Sequence, residues 1–450
     1  MKKVFGIAAI LLALAACNKV ETEIQPIDNA EGIPFSATIS VGNNAATKAL
    51  AESGTTIVAT WAVDETVALI HNGVKDVMTV SAVNEGVATI TGTITNSPSD
   101  GDAVTVIYPA SAADGTTGNI KADLLYAQNG LLTGGGSIAA NYDARKGTGT
   151  LKVSGTASLN GNMTLDNQFA IFKFTTKNSD GSATIDMKPL TVTIGAQDYV
   201  ITPASATSEL FVALPAIASQ AVTFTATGSD GKIYTASKPS VSFDAGKYYQ
   251  SPLKMTAAGL SDVISRYLRT VIGADGFIYA TAAAATAAGT TAVAKIVYVG
   301  SDNGESAPYN HGLALALSDA NGGSYLEWST SSTKVHTYNP TSSSFESESG
   351  LQYNATHNSD TYPAFKAAIA NNGTAAPTGC SAWFLASGYQ WQKMAGAVGG
   401  YINLGLQLYR VYWSSTEYSA NNAWYFTSPE GNWYNDGKGY GNLVRACLAF

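Results

Sequence analysis

Between Tyr418 and Asn442 the chain gathers Tyr418, Asn421, Asn422, Tyr425, Asn432, Tyr434, Asn435, Asp436, Tyr440 and Asn442 into one short stretch, interleaved with Trp424, Gly431, Trp433 and Lys438. Tyrosine offers rigid, amphipathic contact area at low entropic cost, and Asn, Ser and Gly offer adaptable hydrogen bonds, the composition of a recognition surface. The ten polar and aromatic residues are therefore candidate ligand contacts, and the interleaved four are candidate scaffold. The alternative is a glycine-rich surface hairpin that binds nothing. Residue types for catalysis are not arranged to perform it. There is no HExxH, GxSxG, phosphate loop or CxxC, and each of those chemistries needs its spacing. His71, His311, His336 and His357 are scattered without the spacing of metal ligands. Calcium asks for six or more oxygens, and no convincing set is present. No catalytic residue, metal or cofactor is expected. Of the three cysteines, Cys380 and Cys447 either form a disulfide or remain buried thiols.

Such a surface needs elements to hold it. From Pro34 to Met255, short runs rich in Val, Ile, Thr, Phe and Tyr alternate with clusters of Gly, Asn, Asp and Ser, the pattern of short strands and turns. Residues 104–108, 170–174 and 221–226 read as strands, and Asn178-Ser179-Asp180-Gly181 and Gly228-Ser229-Asp230-Gly231 as turns. The length suits two β-sandwiches, 34–165 and 166–255. After Met255 the composition changes, and six of the seven tryptophans lie beyond residue 320. Residues 256–450 read as one α+β unit. Pro363 opens a short helix running to Asn372, with Gly373 as its stop. Ser387 and Gln390 form a capping box, and the helix that follows puts Trp391, Met394, Ala395 and Val398 on one buried face.

Lys2 and Lys3 precede an apolar run, Val4 to Ala16, that is too short to cross a bilayer and ends in small residues. This is the layout of a secretory signal peptide, residues 1–17. Asn18 to Ile33 is polar and unpatterned, a tether. Charged residues make up 13% of the 450 residues, against a usual share of about a quarter, which suits an extracellular β-protein. The net charge of −8 argues against a nucleic-acid partner, since no basic patch exists to neutralise phosphates. No later apolar stretch is long enough to cross a membrane.

Three resemblances add to this reading. Leu14-Ala15-Ala16-Cys17 resembles a bacterial lipobox, which implies that Cys17 carries lipid and that the chain meets a membrane through it. Phe35-Ser36-Ala37-Thr38, Ala46-Thr47-Lys48-Ala49, Trp61 with Asp64-Glu65-Thr66-Val67, Tyr108-Pro109-Ala110-Ser111-Ala112, Phe211-Val212-Ala213-Leu214-Pro215 and Gly246-Lys247-Tyr248-Tyr249 look like the fimbrillin family of lipoprotein pilus subunits. That resemblance implies two tandem transthyretin-like β-sandwiches and pilus subunits as partners by strand donation. It also implies proteolytic maturation after a basic residue, here Lys48, where family members often carry Arg. Gly273 to Tyr279, Val293 to Val299, His311 to Leu317, Trp383 to Ser387, Tyr412 to Tyr418 and Val444 to Phe450 together look like the C-type-lectin-like domains attached to exported bacterial lipoproteins. The implied fold is a small twisted antiparallel sheet with two helices, close termini and a ligand face of loops. Tyr418 to Asn442 further resembles the variable region written by diversity-generating retroelements. The lectin-like fold also houses formylglycine-generating enzymes, which need a cysteine pair.

The expectation is therefore a mainly β N-terminal region followed by an α+β C-type-lectin-like domain, in a lipoprotein of the outer membrane, at the cell surface or in a fimbrium. Its expected role is that of a pilus-tip adhesin binding a host or bacterial surface protein or glycan. Residues 447–450 read as the last strand of the C-terminal unit, so the chain would accept a strand without donating that one. The alternatives are a stand-alone surface-displayed binding lipoprotein and, third, an enzyme of the formylglycine-generating type.

Overall fold

The computed structural model describes residues 32–41, 51–54, 56–58, 60–335 and 345–450. Cys17, Lys48, His336, the signal segment and most of the tether lie outside them. The described chain is mainly β, as the alternating runs and turn clusters require, and the strand readings at 104–108, 170–174 and 221–226 fall inside strands Ala103–Tyr108, Phe169–Lys177 and Ile217–Gly228.

In the first unit, Phe35, Ala37 and Ile39 of strand Ile33–Val41 point inward and Ser36 and Thr38 outward, the period-two alternation of a half-buried strand. This strand pairs antiparallel with Val87–Ile94 on one side and parallel with Thr156–Leu159 and Met163–Asn167 on the other. From there the pairings run through Arg145–Ser154, Ala103–Tyr108, Thr66–His71 and Val74–Asn84 back to Val87–Ile94. Where two facing sheets were expected, hydrogen bonding makes one closed circuit, which leaves its main strands no free edge. Gly147 is needed where the circuit tightens, since a Cβ there would sit 2.6 Å from the Thr164 carbonyl oxygen. Inside, Trp61 meets Tyr108 edge-on at 5.1 Å. The Tyr108 hydroxyl donates to the buried Glu65 carboxylate (3.0 Å), which also accepts from the Ala62 amide (3.0 Å).

The second unit packs two sheets face to face. Phe169–Lys177 lies between Glu209–Pro215 and Tyr248–Lys254. Opposite it stand Met187–Ile194, Gln197–Ile201, Ile217–Gly228 and Ile233–Phe243. Phe172, Phe174, Leu190, Val212, Phe224 and Phe243 fill the space between. This core also draws on residues before the expected break at 165. Leu125, Ile138, Ala139 and Tyr142 belong to it, and Ala127–Gln128 adds an edge strand beside Gln197–Ile201. The Gln128 side chain locks the connection, donating to Leu125 O (3.0 Å) and Ala213 O (2.8 Å) and accepting from Ala213 N (2.9 Å).

The C-terminal unit is built on a six-stranded sheet in which Ala292–Val299, Gly312–Ala316 and Ala446–Ala449 are adjacent. Among the described residues four α-helices accompany it: α1 (Ala282–Ala287), α2 (Gly350–Thr356), α3 (Pro363–Ala370) and α4 (Gly388–Val398). Helix α3 starts at its proline and stops at Asn371, whose left-handed backbone turns the chain. Both bonds of the Ser387–Gln390 capping box form at the start of α4, and Trp391, Met394, Ala395 and Val398 are buried. This unit is joined to the second without a gap. Ile233 packs in the C-terminal core with Ala258, Leu260 and Tyr267, Thr256–Ala257 pairs with Ile233–Phe243, and Arg266 Nη2 donates to both Asp198 oxygens at 2.8 and 2.9 Å.

Candidate functional site

Tyr418 to Asn442 folds mostly as a hairpin of Asn422–Ser428 and Trp433–Gly437, the central strand and one edge strand of a three-stranded sheet whose other edge is Arg410–Glu417. Alternate side chains take opposite faces. On one face Phe426 and Trp433 lie 5.2 Å apart, Trp391 of α4 packs on Phe426 at 4.8 Å, and Phe345 meets Trp424 and Trp433 at 5.7 and 4.6 Å. The Trp433 indole donates to the Tyr401 hydroxyl at 2.9 Å. Gly431 must be glycine at the turn, because its φ is +76° and a Cβ would meet the Tyr401 ring at 2.2 Å. The scaffold roles read for Trp424, Gly431 and Trp433 thus have a physical basis in this aromatic layer.

The opposite face carries Tyr425 paired with Tyr434, ring centroids 5.8 Å apart, and Ala423 paired with Asp436. Trp413 supports Tyr425 edge-on at 5.9 Å and donates its indole N–H to Leu326 O at 2.8 Å. Tyr434 is 49% exposed and Tyr440, in the turn that follows, 65%. Burial raises the Tyr425 phenol pKa, with Asp436 and Tyr434 adding to the effect, so it stays a neutral hydrogen-bonding group.

Lys438 ties the hairpin down. It is buried, and its ammonium pairs with the Glu417 carboxylate, donates to Thr333 O (2.9 Å) and sits over the Trp328 ring at 4.8 Å. Glu417 also accepts from the Val335 amide at 2.9 Å, and Trp328 donates to Ser414 O at 2.8 Å. Loop 328–335 is thereby fastened to the hairpin by charge, hydrogen bond and ring together.

The ten sequence candidates separate on this frame. Tyr418, Asn421 and Tyr440 are exposed at the end where Lys438 N bonds Asn421 O at 2.8 Å. Tyr425, Tyr434 and Asp436 share the second face, on which Tyr434 is exposed, Tyr425 and Asp436 are half-buried and Ala423 is buried. Asn432 is exposed at the other turn, about 17 Å away at ~3.3 Å per residue. Asn422 and Asn435 are bound to each other at 2.8 Å and half-buried. Asn442 is a correction: it is 5% exposed and paired with Leu326 in a two-stranded ladder, so it cannot present itself to a ligand. The sequence reading missed Tyr325, which is 53% exposed and lies against Gly441, where a Cβ would come within 3.0 Å of its own Cβ. Its only signal was an aromatic residue after Gly322-Gly323-Ser324.

Cys380 and Cys447 are both free thiols, so the paired alternative does not form. Ala446 and Leu448 face the core that contains Cys380, while Cys447 and Ala449 face the other side of the sheet. Burial pushes the Cys380 thiol up to about 12 and Cys447 well above its ordinary value, which withholds the thiolate a nucleophile needs. Among the described residues no three His, Cys, Asp or Glu side chains converge to hold a metal, and no helix is long and apolar enough to cross a membrane.

No protein-family model matches the chain, and no curated protein matches it. Among solved structures, a fimbrial protein from Bacteroides ovatus aligns with 93% of this chain and 99% of its own at 13% identity and a TM-score of 0.31. A fimbrial assembly protein from Parabacteroides distasonis aligns with 49% of this chain and 90% of its own, at 14% identity and 0.27. The tip fimbrial protein Mfa3 from Porphyromonas gingivalis, truncated at its C-terminus, aligns with 45% and 81%, at 10% identity and 0.23. At such scores the superpositions are loose, and the architecture above rests on the strand pairings themselves.

Proposed function

We propose that this chain is a lipid-anchored surface adhesin of the pilus-tip kind. Its C-terminal unit binds a protein or glycan ligand through the exposed tyrosines at Tyr434 and at the Lys438 end of the hairpin. The observation that carries the binding role is the coincidence of exposed Tyr434, Tyr440 and Tyr325 with a rigid foundation beneath them. Exposed aromatic side chains on a pre-ordered support lose little entropy on contact. The pilus placement rests on the fimbrillin resemblance of the N-terminal patches. It is supported by the pairing of Ala446–Ala449 on both edges, with Gly312–Ala316 and Phe384–Leu385, which withholds that strand from donation to a neighbour. Membrane attachment through Cys17, maturation after Lys48 and retroelement diversification of the hairpin belong to the same reading.

The test is a binding screen on surface proteins and glycan arrays with the full mature chain, followed by Tyr434→Ala and Tyr440→Ala. Each substitution is expected to weaken the selected ligand at least five-fold while leaving the melting curve in place. Unchanged affinity in both variants refutes the assignment of the site. A separate experiment, cleavage after Lys48 followed by mixing with pilus subunits, tests the pilus placement: failure to co-assemble leaves a stand-alone surface binder.

A further inference from the structure

The C-terminal unit has a second recess, and none of its lining residues comes from the hairpin. A cleft of about 600 Å³ opens between the 305–309 loop, α2, Ile369 of α3 and the 382–383 segment. Its walls are mostly apolar, with Pro308, Leu351 and Ile369 as the larger aliphatic groups and Tyr309 and Trp383 as aromatic ones. Trp383 is held in place by an indole hydrogen bond to Thr374 O at 2.8 Å. This volume and lining are those of a small-ligand site: a mainly apolar recess with few polar groups.

The one carboxylate in that lining is Glu305. Its Oε2 accepts from the Ser349 hydroxyl at 2.5 Å, and its Oε1 accepts from Leu351 N at 3.2 Å and Gln390 Nε2 at 2.7 Å. The Gly350 amide also bonds this carboxylate, and all of these donors are neutral. Among the described residues no cation forms an ion pair with it. Burial raises its pKa, the direction expected of a carboxylate that lacks a positive partner. A partly buried anion without a counter-charge, in a mainly apolar recess, is suited to a cation, to which the carboxylate supplies charge-assisted hydrogen bonding.

We propose that this cleft binds a primary ammonium group carried on an apolar stem, with Glu305 taking the ammonium and the aliphatic walls taking the stem. A free alkylamine and a lysine side chain present the same chemistry, and the probes separate them. Calorimetric titration of the full mature chain would use n-hexylamine, n-hexanol and hexanoate, together with the capped peptide acetyl-Leu-Lys-Leu-amide. The amine, the lysine peptide or both should bind at least ten-fold more tightly than the alcohol, and hexanoate should not bind. Amine binding points to a free ligand. Peptide binding without amine binding points to a protein lysine. Glu305→Gln should abolish the preference for ammonium over alcohol. Should that variant fail to fold, Ala355→Trp, which fills the cleft from the exposed side of α2, should abolish binding, while Tyr434→Ala should not change it. Equal affinity for hexanol and hexylamine with no peptide binding, no binding of any probe, or full affinity in Ala355→Trp overturns the proposal.

Discussion

Replacing Lys438 by Met tests whether the hairpin is held from beneath by a buried charge. Methionine keeps the apolar stem and removes the ammonium. The variant loses the pair with Glu417, the 2.9 Å bond to Thr333 O and the cation over Trp328 at 4.8 Å. Glu417, whose side chain is 0% exposed, keeps its Val335 amide bond but loses the Lys438 charge. Breaking one side of such a pair costs about 3–5 kcal/mol. At ~2–4 °C per kcal/mol for a unit of this size, the melting temperature falls by on the order of 6–20 °C. Six of the seven tryptophans lie in the C-terminal unit, so intrinsic fluorescence in thermal and guanidinium melts reports on that unit. The double variant Lys438→Met/Glu417→Gln removes both charges. It should recover more than half of the loss, because the buried Glu417 charge deprived of Lys438, not the missing contact, dominates the cost. A single variant within about 1 kcal/mol of the parent, or a double variant that adds its two losses, would refute the account.

Three further outcomes follow from the same geometry. Ser387→Ala removes the cap of α4 and the hydroxyl bond to Glu348 O at 2.8 Å, and should cost about 1–2 kcal/mol, read as an earlier fluorescence melt. Gly431→Ala places a methyl against Tyr401 in a left-handed turn, and should lower stability by about 1–3 kcal/mol; Gly439→Ala, with open space around its Cβ, serves as the mild control. Cys380 is raised from 9.0 to about 12 by burial, so the folded state holds its proton more tightly than the unfolded one. Its contribution is complete below pH 9.0 and is lost as pH rises toward 12. Denaturant midpoints measured from pH 7 to 10 should therefore fall less steeply in Cys380→Ala than in the parent, and identical slopes would count against it.

Local signals were legible in the sequence and long-range pairing was not. The two helices announced by Pro363 and by Ser387 with Gln390 form because their start signals act within one turn. The turns at Gly181 and Gly231 adopt positive φ, which glycine allows anywhere. By contrast, the closed circuit of the first unit depends on Ile33–Val41 finding partners beyond residue 155, and no local pattern encodes that choice. The same holds for Leu125 to Tyr142, whose apolar residues fit either unit until Gln128 fixes them to Ala213. At the candidate site, residue type revealed the tyrosines but not their faces. Asn442 reads like its neighbours, yet a ladder with Leu326 buries it, and Tyr325 reaches the site from a distant loop. The cysteines follow the same rule: alternation within Ala446–Ala449 turns Cys447 to the side of the sheet away from the core that holds Cys380.

The circuit of the first unit also sets an order of events. Synthesis delivers residues 33–41 early, but their parallel partners at 156–159 and 163–167 come more than a hundred residues later. Until those arrive, one side of the first strand has no partner, and the apolar row Phe35, Ala37, Ile39 has only part of its lining. Pairing across so long a separation is slow and exposes sticky intermediates. The chain therefore has a vulnerable interval that opens with its first strand and closes near Asn167. Truncations ending short of that residue should aggregate, and those ending after it should not leave this barrel open.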